Sequence, residues 1–76
     1  MSNTYNGHKN YNHWNVSLWI NNDEGLYRMA LDMCRHMRRE DASRVMLESL
    51  SDMGITHTPD GAPYSVSSIR AAMVGM

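Results

Sequence analysis

A small all-α domain, a bundle of about four helices with a short hairpin at a Pro-Asp-Gly turn, is the fold this sequence predicts. Three observations point there. Apolar residues recur at helical spacing after Asp23 and again before Gly54. The segment Asn10 to Asn22, NYNHWNVSLWINN, holds both tryptophans but has no obvious partner strand. With 76 residues, 42% of them hydrophobic and 20% charged, the chain allows one globular domain and little surplus core. Residues 1–10 form a polar leader expected to fray, and residues 11–76 a single helical domain.

The tryptophan segment carries two patterns. Trp14, Val16, Leu18 and Ile20 alternate as in a strand, whereas Tyr11, Trp14 and Leu18 fit one face of a helix. A helix is favoured, and it places Trp19 away from the Tyr11, Trp14 and Leu18 face. The clearest helix runs from Asp23 to about Arg39. Leu26, Ala30, Met33, Cys34 and Met37 form its apolar stripe, and Arg28, Asp32, Arg35 and Arg39 fall opposite. Asp23 suits an N-cap, Glu24 the positive end of the helix dipole, and Arg38 and Arg39 its negative end.

A further helix is expected from about Asp41, with Ala42, Val45, Met46, Leu50 and Met53 inward and Gly54 as its stop. Pro59-Asp60-Gly61 then signals a turn, and Pro63 delays the last helix until about Ser65, its N-cap. That helix should bury Val66, Ile69 and Met73 and expose Ser67, Arg70 and Ala71.

Composition excludes several functions. Seven basic residues against eight acidic ones give a net charge of -1, so no global field draws nucleic acid or an anionic membrane, and any such binding needs a local patch. No segment is long or apolar enough to span a bilayer, and the first residues lack the order of a signal peptide, so a cytoplasmic protein is expected. Cys34, the one cysteine, excludes an internal disulfide and reads as a small buried hydrophobe. Eight methionines and no phenylalanine make an adaptable core. His8, His13, His36 and His57 are scattered without the i,i+4 spacing of paired ligands, and there is no phosphate loop or carboxylate pair. Neither metal, cofactor nor catalysis is expected.

Two sets of binding residues remain. Tyr11, Trp14 and Trp19 are natural protein-binding anchors, because aromatics give large contact area at low entropy cost. Trp19 is the better interface residue, for a partner or for self-association into a homodimer; the bland alternative puts both indoles in the core. For nucleic acid, Arg35, Arg38 and Arg39 would contact phosphates, with Ser67 and Arg70 at base edges. The competing reading of those arginines is a solvated helix face with internal ion pairs.

Two resemblances add to this. Residues 50–73, LSDMGITHTPDGAPYSVSSIRAAM, resemble the part of the recombinase domain of large serine recombinases where a helix ends at Leu-x-x-x-Gly-Ile, a Thr-Pro-x-Gly turn follows, and a helix opens at Trp-Ser-x-x-x-Val/Ile-Arg. This implies helix-turn-helix-like geometry, with Ser65 to Ala72 in the recognition position. The chain departs by having Tyr64 where tryptophan is usual and Ala62 where a basic residue would help, and its length leaves no room for the catalytic domain, so recombination itself is not expected. The segment NYNHWNVSLWINNDEGLY resembles a family of small uncharacterised phage and plasmid proteins with an Asn-Tyr-x-x-Trp-Asn-Val-x-Leu-Trp-Ile-x-Asn-Asp stretch. That resemblance implies mobile-element origin. The resulting expectation is a phage or mobile-element accessory protein that binds a host protein, inhibiting or modulating it or a defence complex; the alternative is a helix-turn-helix-like DNA binder.

Overall fold

The computed structural model describes residues 10–76. Within them the chain forms four helices, α1 (Tyr11–Asn22), α2 (Glu24–His36), α3 (Arg39–Asp52) and α4 (Val66–Ala72), and no strand. The leader expected over residues 1–10, with His8, lies outside the described residues except for Asn10, which is the N-cap of α1 and accepts a hydrogen bond from the His13 amide at 3.0 Å.

The tryptophan segment is therefore helical, but its inward face differs from the expected one. Asn15, Val16 and Ile20 are buried, while Tyr11 and Leu18 are more than a third exposed and Trp14 is half-buried, its ring 5.8 Å from that of Tyr11. Neither indole is in the core. Asp23 joins α1 to α2 by itself: its amide donates to the Trp19 carbonyl, and its carboxylate accepts from the Leu26 amide at 3.0 Å.

Helix α2 ends at His36, short of the expected Arg39. Met37 and Arg38 are extended, so Arg38 is the N-cap of α3 and Arg39 its first residue, and neither complements the end of α2. Arg35 and His36 do that instead. The acidic pair Glu40 and Asp41 explains the early start, since both carboxylates favour a first turn. On α3 the buried positions are Ala42, Ser43, Met46 and Leu50. Val45 and Met53, expected inward, are 37% and 54% exposed: Val45 flanks the buried stripe and Met53 lies beyond the last turn. Gly54 stops the helix at φ +79, with its amide bonded to the Ser51 carbonyl and the Ile55 amide to that of Leu50, the double bond of a Schellman end.

The expected hairpin is reduced to one antiparallel bridge, His57 with Pro63. Thr58 and Ala62 close it, the Gly61 amide reaches the Thr58 carbonyl at 2.8 Å, and Gly61 takes φ +91, the left-handed residue such a three-residue loop needs. Ser65 caps α4 in a reciprocal pair with Ser68. Ile69 and Met73 are buried as expected, joined by Ser68 and Ala72; Val66 and Ala71 are half-buried. Helix α4 packs on both α1 and α3, and the core gathers Val16, Ile20, Ala30, Met46, Leu50, Ile69 and Met73 from all four helices. None of these helices is long and apolar enough to cross a membrane.

The exposure difference between neighbours on α3 has a measurable consequence. In urea denaturation, Met46→Ala should destabilise the domain by about 2–5 kcal/mol, whereas Val45→Ala should stay within about 0.5 kcal/mol of wild type.

Candidate functional site

The polar centre of the molecule joins α1 to the hairpin. Asn15 is 1% exposed and Thr58 4%, so each must satisfy its polar atoms within the protein. The Thr58 hydroxyl donates to Asn15 Oδ1 and accepts from the Ala62 amide at 3.1 Å. Asn15 Nδ2 donates to Asp60 Oδ2 at 2.9 Å, and Trp19 Nε1 donates to the same oxygen at 2.9 Å. Two residues one helical turn apart thus clamp one carboxylate, and the turn that carries it is fixed in place. These hydrogen bonds, first from Asn15 and then from Trp19, hold the Asp60 carboxyl below its ordinary pKa of 3.8.

Two grooves flank this centre. The first, about 340 Å3, is lined by Trp19, Asp23, Leu26, Ile55, His57, Pro59 and Tyr64. Its walls come from the end of α1, the start of α2 and the hairpin, so the Trp19 to Asp60 bond sets the orientation of one wall. Burial, with the Asp23 charge as a smaller cause, pushes the Tyr64 hydroxyl above its ordinary pKa and keeps it protonated. The second, about 320 Å3, is lined by His13, Arg39, Ser67, Arg70, Ala71 and Val74. His13 Nε2 and Ser67 Oγ are 2.9 Å apart, and Arg70 reaches Glu40 at 3.6 Å. A trough along α3, lined by Arg44, Val45, Leu47, Glu48, Ser51 and Asp52, is formed by that helix alone.

The expected site residues are distributed unequally between these features. Trp19 lines the apolar groove, while Tyr11 and Trp14 pair at the other end of α1. Arg39, Ser67 and Arg70 share the charged groove; Arg35 and Arg38 do not line it. Among the described residues, ion pairs at i,i+4 spacing on the helix faces join Arg28 with Glu24 and Arg44 with Glu40. The connection from α3 to α4 runs through residues 53–65 and contains the hairpin, where a helix-turn-helix uses about 3–4 residues. Cys34 is half-buried, with burial pushing its thiol up and Arg39 opposing. No group of three potential metal ligands occurs among the described residues.

Sequence reasoning missed Asn15, Thr58 and Asp60 as a unit, and it missed Leu26, Ile55 and Tyr64 as groove walls. One signal was present: in a helix, Asn15 and Trp19 share a face next to Val16 and Ile20, so a polar residue stands at an inward position.

A family model described as "Family of unknown function (DUF7249)" matches residues 1–76, the whole chain. The chain belongs to DUF7249. No curated protein and no solved structure matches it. The tryptophan segment and the Pro-Asp-Gly turn of this DUF7249 chain are thus two halves of one structural device.

Its pH dependence follows from Asp60. A depressed folded-state pKa contributes stability above 3.8 that is lost as pH falls below that value. Thermal melts from pH 7 down into the acid range should show this loss in the wild type and a smaller one in Asp60→Asn, which has no charge to stabilise. At neutral pH, Asn15→Ala leaves the Thr58 hydroxyl without its acceptor and should cost about 1–3 kcal/mol.

Proposed function

We propose that this protein is a phage or mobile-element accessory protein that binds a host protein in the host cytoplasm and modulates it, using the groove lined by Trp19, Leu26, Ile55, Pro59 and Tyr64. The observation that carries this reading is the groove itself, a concave surface with mainly apolar walls, one of which is an indole held by a hydrogen bond to Asp60. A rigid aromatic wall binds a partner's apolar side chain without losing its own rotamer freedom on binding. Ile55 on the open side is 36% exposed and supplies contact area that the core does not use. The mobile-element part of the reading comes from the tryptophan segment's likeness to small phage and plasmid proteins.

A nucleic-acid reading has one specific observation in its favour, the convergence of Arg39, Ser67 and Arg70 in one groove. It is the weaker reading because Glu40 lies 3.6 Å from Arg70, Asp41 adds a second acid in the same turn, and the net charge is -1, all of which repel a polyanion.

Affinity capture from host lysate with matched variants separates the two. Ile55→Asp, a change at an exposed position, should abolish recovery of the partner, while Arg38→Ala, Arg39→Ala and Arg70→Ala should retain it. Loss with the arginine variants and retention with Ile55→Asp would overturn the groove assignment.

A further inference from the structure

The charged groove lies apart from the surface proposed above, and its chemistry is different. Arg39 opens α3, Ser67 and Arg70 come from α4, and His13 from the first turn of α1, so three helices converge on it. Arg39 makes no ion pair among the described residues, and Arg70 holds Glu40 only at 3.6 Å, with both side chains about half exposed. Glu40 is also engaged by Arg44, through its other carboxylate oxygen at 3.0 Å, so it keeps a partner when the Arg70 guanidinium turns toward a competing anion. When His13 Nε2 carries the ring proton it donates to Ser67 Oγ across 2.9 Å, and the serine then keeps its own hydroxyl hydrogen as a donor for an anion. Two guanidiniums and a hydroxyl suit an oxyanion with several acceptor oxygens.

We propose that the groove formed by His13, Arg39, Ser67 and Arg70 is a binding site for a small phosphomonoester. The volume of about 320 Å3 exceeds that of a phosphate group, and Ala71 and Val74, the latter 67% exposed, provide an apolar wall for the organic part of the ligand. The charge arrangement selects a small dianion over a polyanion. A duplex laid across Arg39 and Arg70 would meet Glu40 and Asp41 in the first turn of α3, whereas a single phosphate is small enough to enter the groove that both arginines line.

The test is an amide NMR titration of the full chain with AMP, adenosine, inorganic phosphate and a random-sequence DNA duplex. AMP should shift the amides of Arg39, Ser67, Arg70 and Val74, phosphate a subset of them, and adenosine none. Arg39→Ala and Arg70→Ala, both at exposed positions and checked for unchanged helix content by circular dichroism, should each weaken AMP binding by about tenfold. Adenosine binding as well as AMP, shifts outside the groove, no shifts with AMP, or duplex binding tighter than AMP with shifts spreading to Arg35 and Arg38 would each overturn the proposal.

Discussion

Helix α4 is seven residues long, too short to persist in water without tertiary contacts, and residues 53–65 that lead to it contain almost no regular structure. What places both is the Asp60 carboxylate, held by Asn15 and Trp19, together with the Thr58 hydroxyl on Asn15. Through these bonds the hairpin becomes a fixed extension of α1, and Ser65 can start α4 where Ile69 and Met73 meet Val16 and Ile20 in a common core. Because Asn15 and Thr58 are buried, the arrangement is specific: their side-chain polar atoms are satisfied in this geometry and would lose their partners if the hairpin moved away from α1.

The same device explains where the two grooves lie. Helix α1 contributes Trp19 near its end to the apolar groove and His13 near its start to the charged one. The hairpin closes the first, and α4, delivered by the hairpin, closes the second. The Pro-Asp-Gly turn therefore shapes both surfaces, although only Pro59 of that turn lines either of them.

Much of this architecture was legible in the sequence, and the exceptions have physical reasons. Ala30, Ala42, Met46, Leu50, Ile69 and Met73 stood out by helical spacing, and Asp23, Gly54 and Ser65 by the chemistry of helix ends. The break expected between about Arg39 and Asp41 falls two to three residues earlier, at Met37 and Arg38, because no glycine or proline marks it and the acids Glu40 and Asp41 sit inside the first turn of α3 rather than before it. On α1 the burial of Asn15 depends on Thr58 and Asp60, 43 and 45 positions away. No local pattern reports so distant a partner. Of the expected site residues, Arg39, Ser67 and Arg70 were brought together by packing that spacing along the chain could not show.

The claim that the hairpin is fastened to α1 through Asn15 is tested most directly by hydrogen exchange. The amides of Thr58 and Ala62, bonded to the Ala62 carbonyl and the Thr58 hydroxyl, should be protected to the same degree as those of Met46 and Leu50 in the core of α3. In Asn15→Ala their protection should fall well below that of Met46 and Leu50. Thr58 and Ala62 amides that exchange freely in the wild type, or keep their protection in Asn15→Ala, would contradict the account.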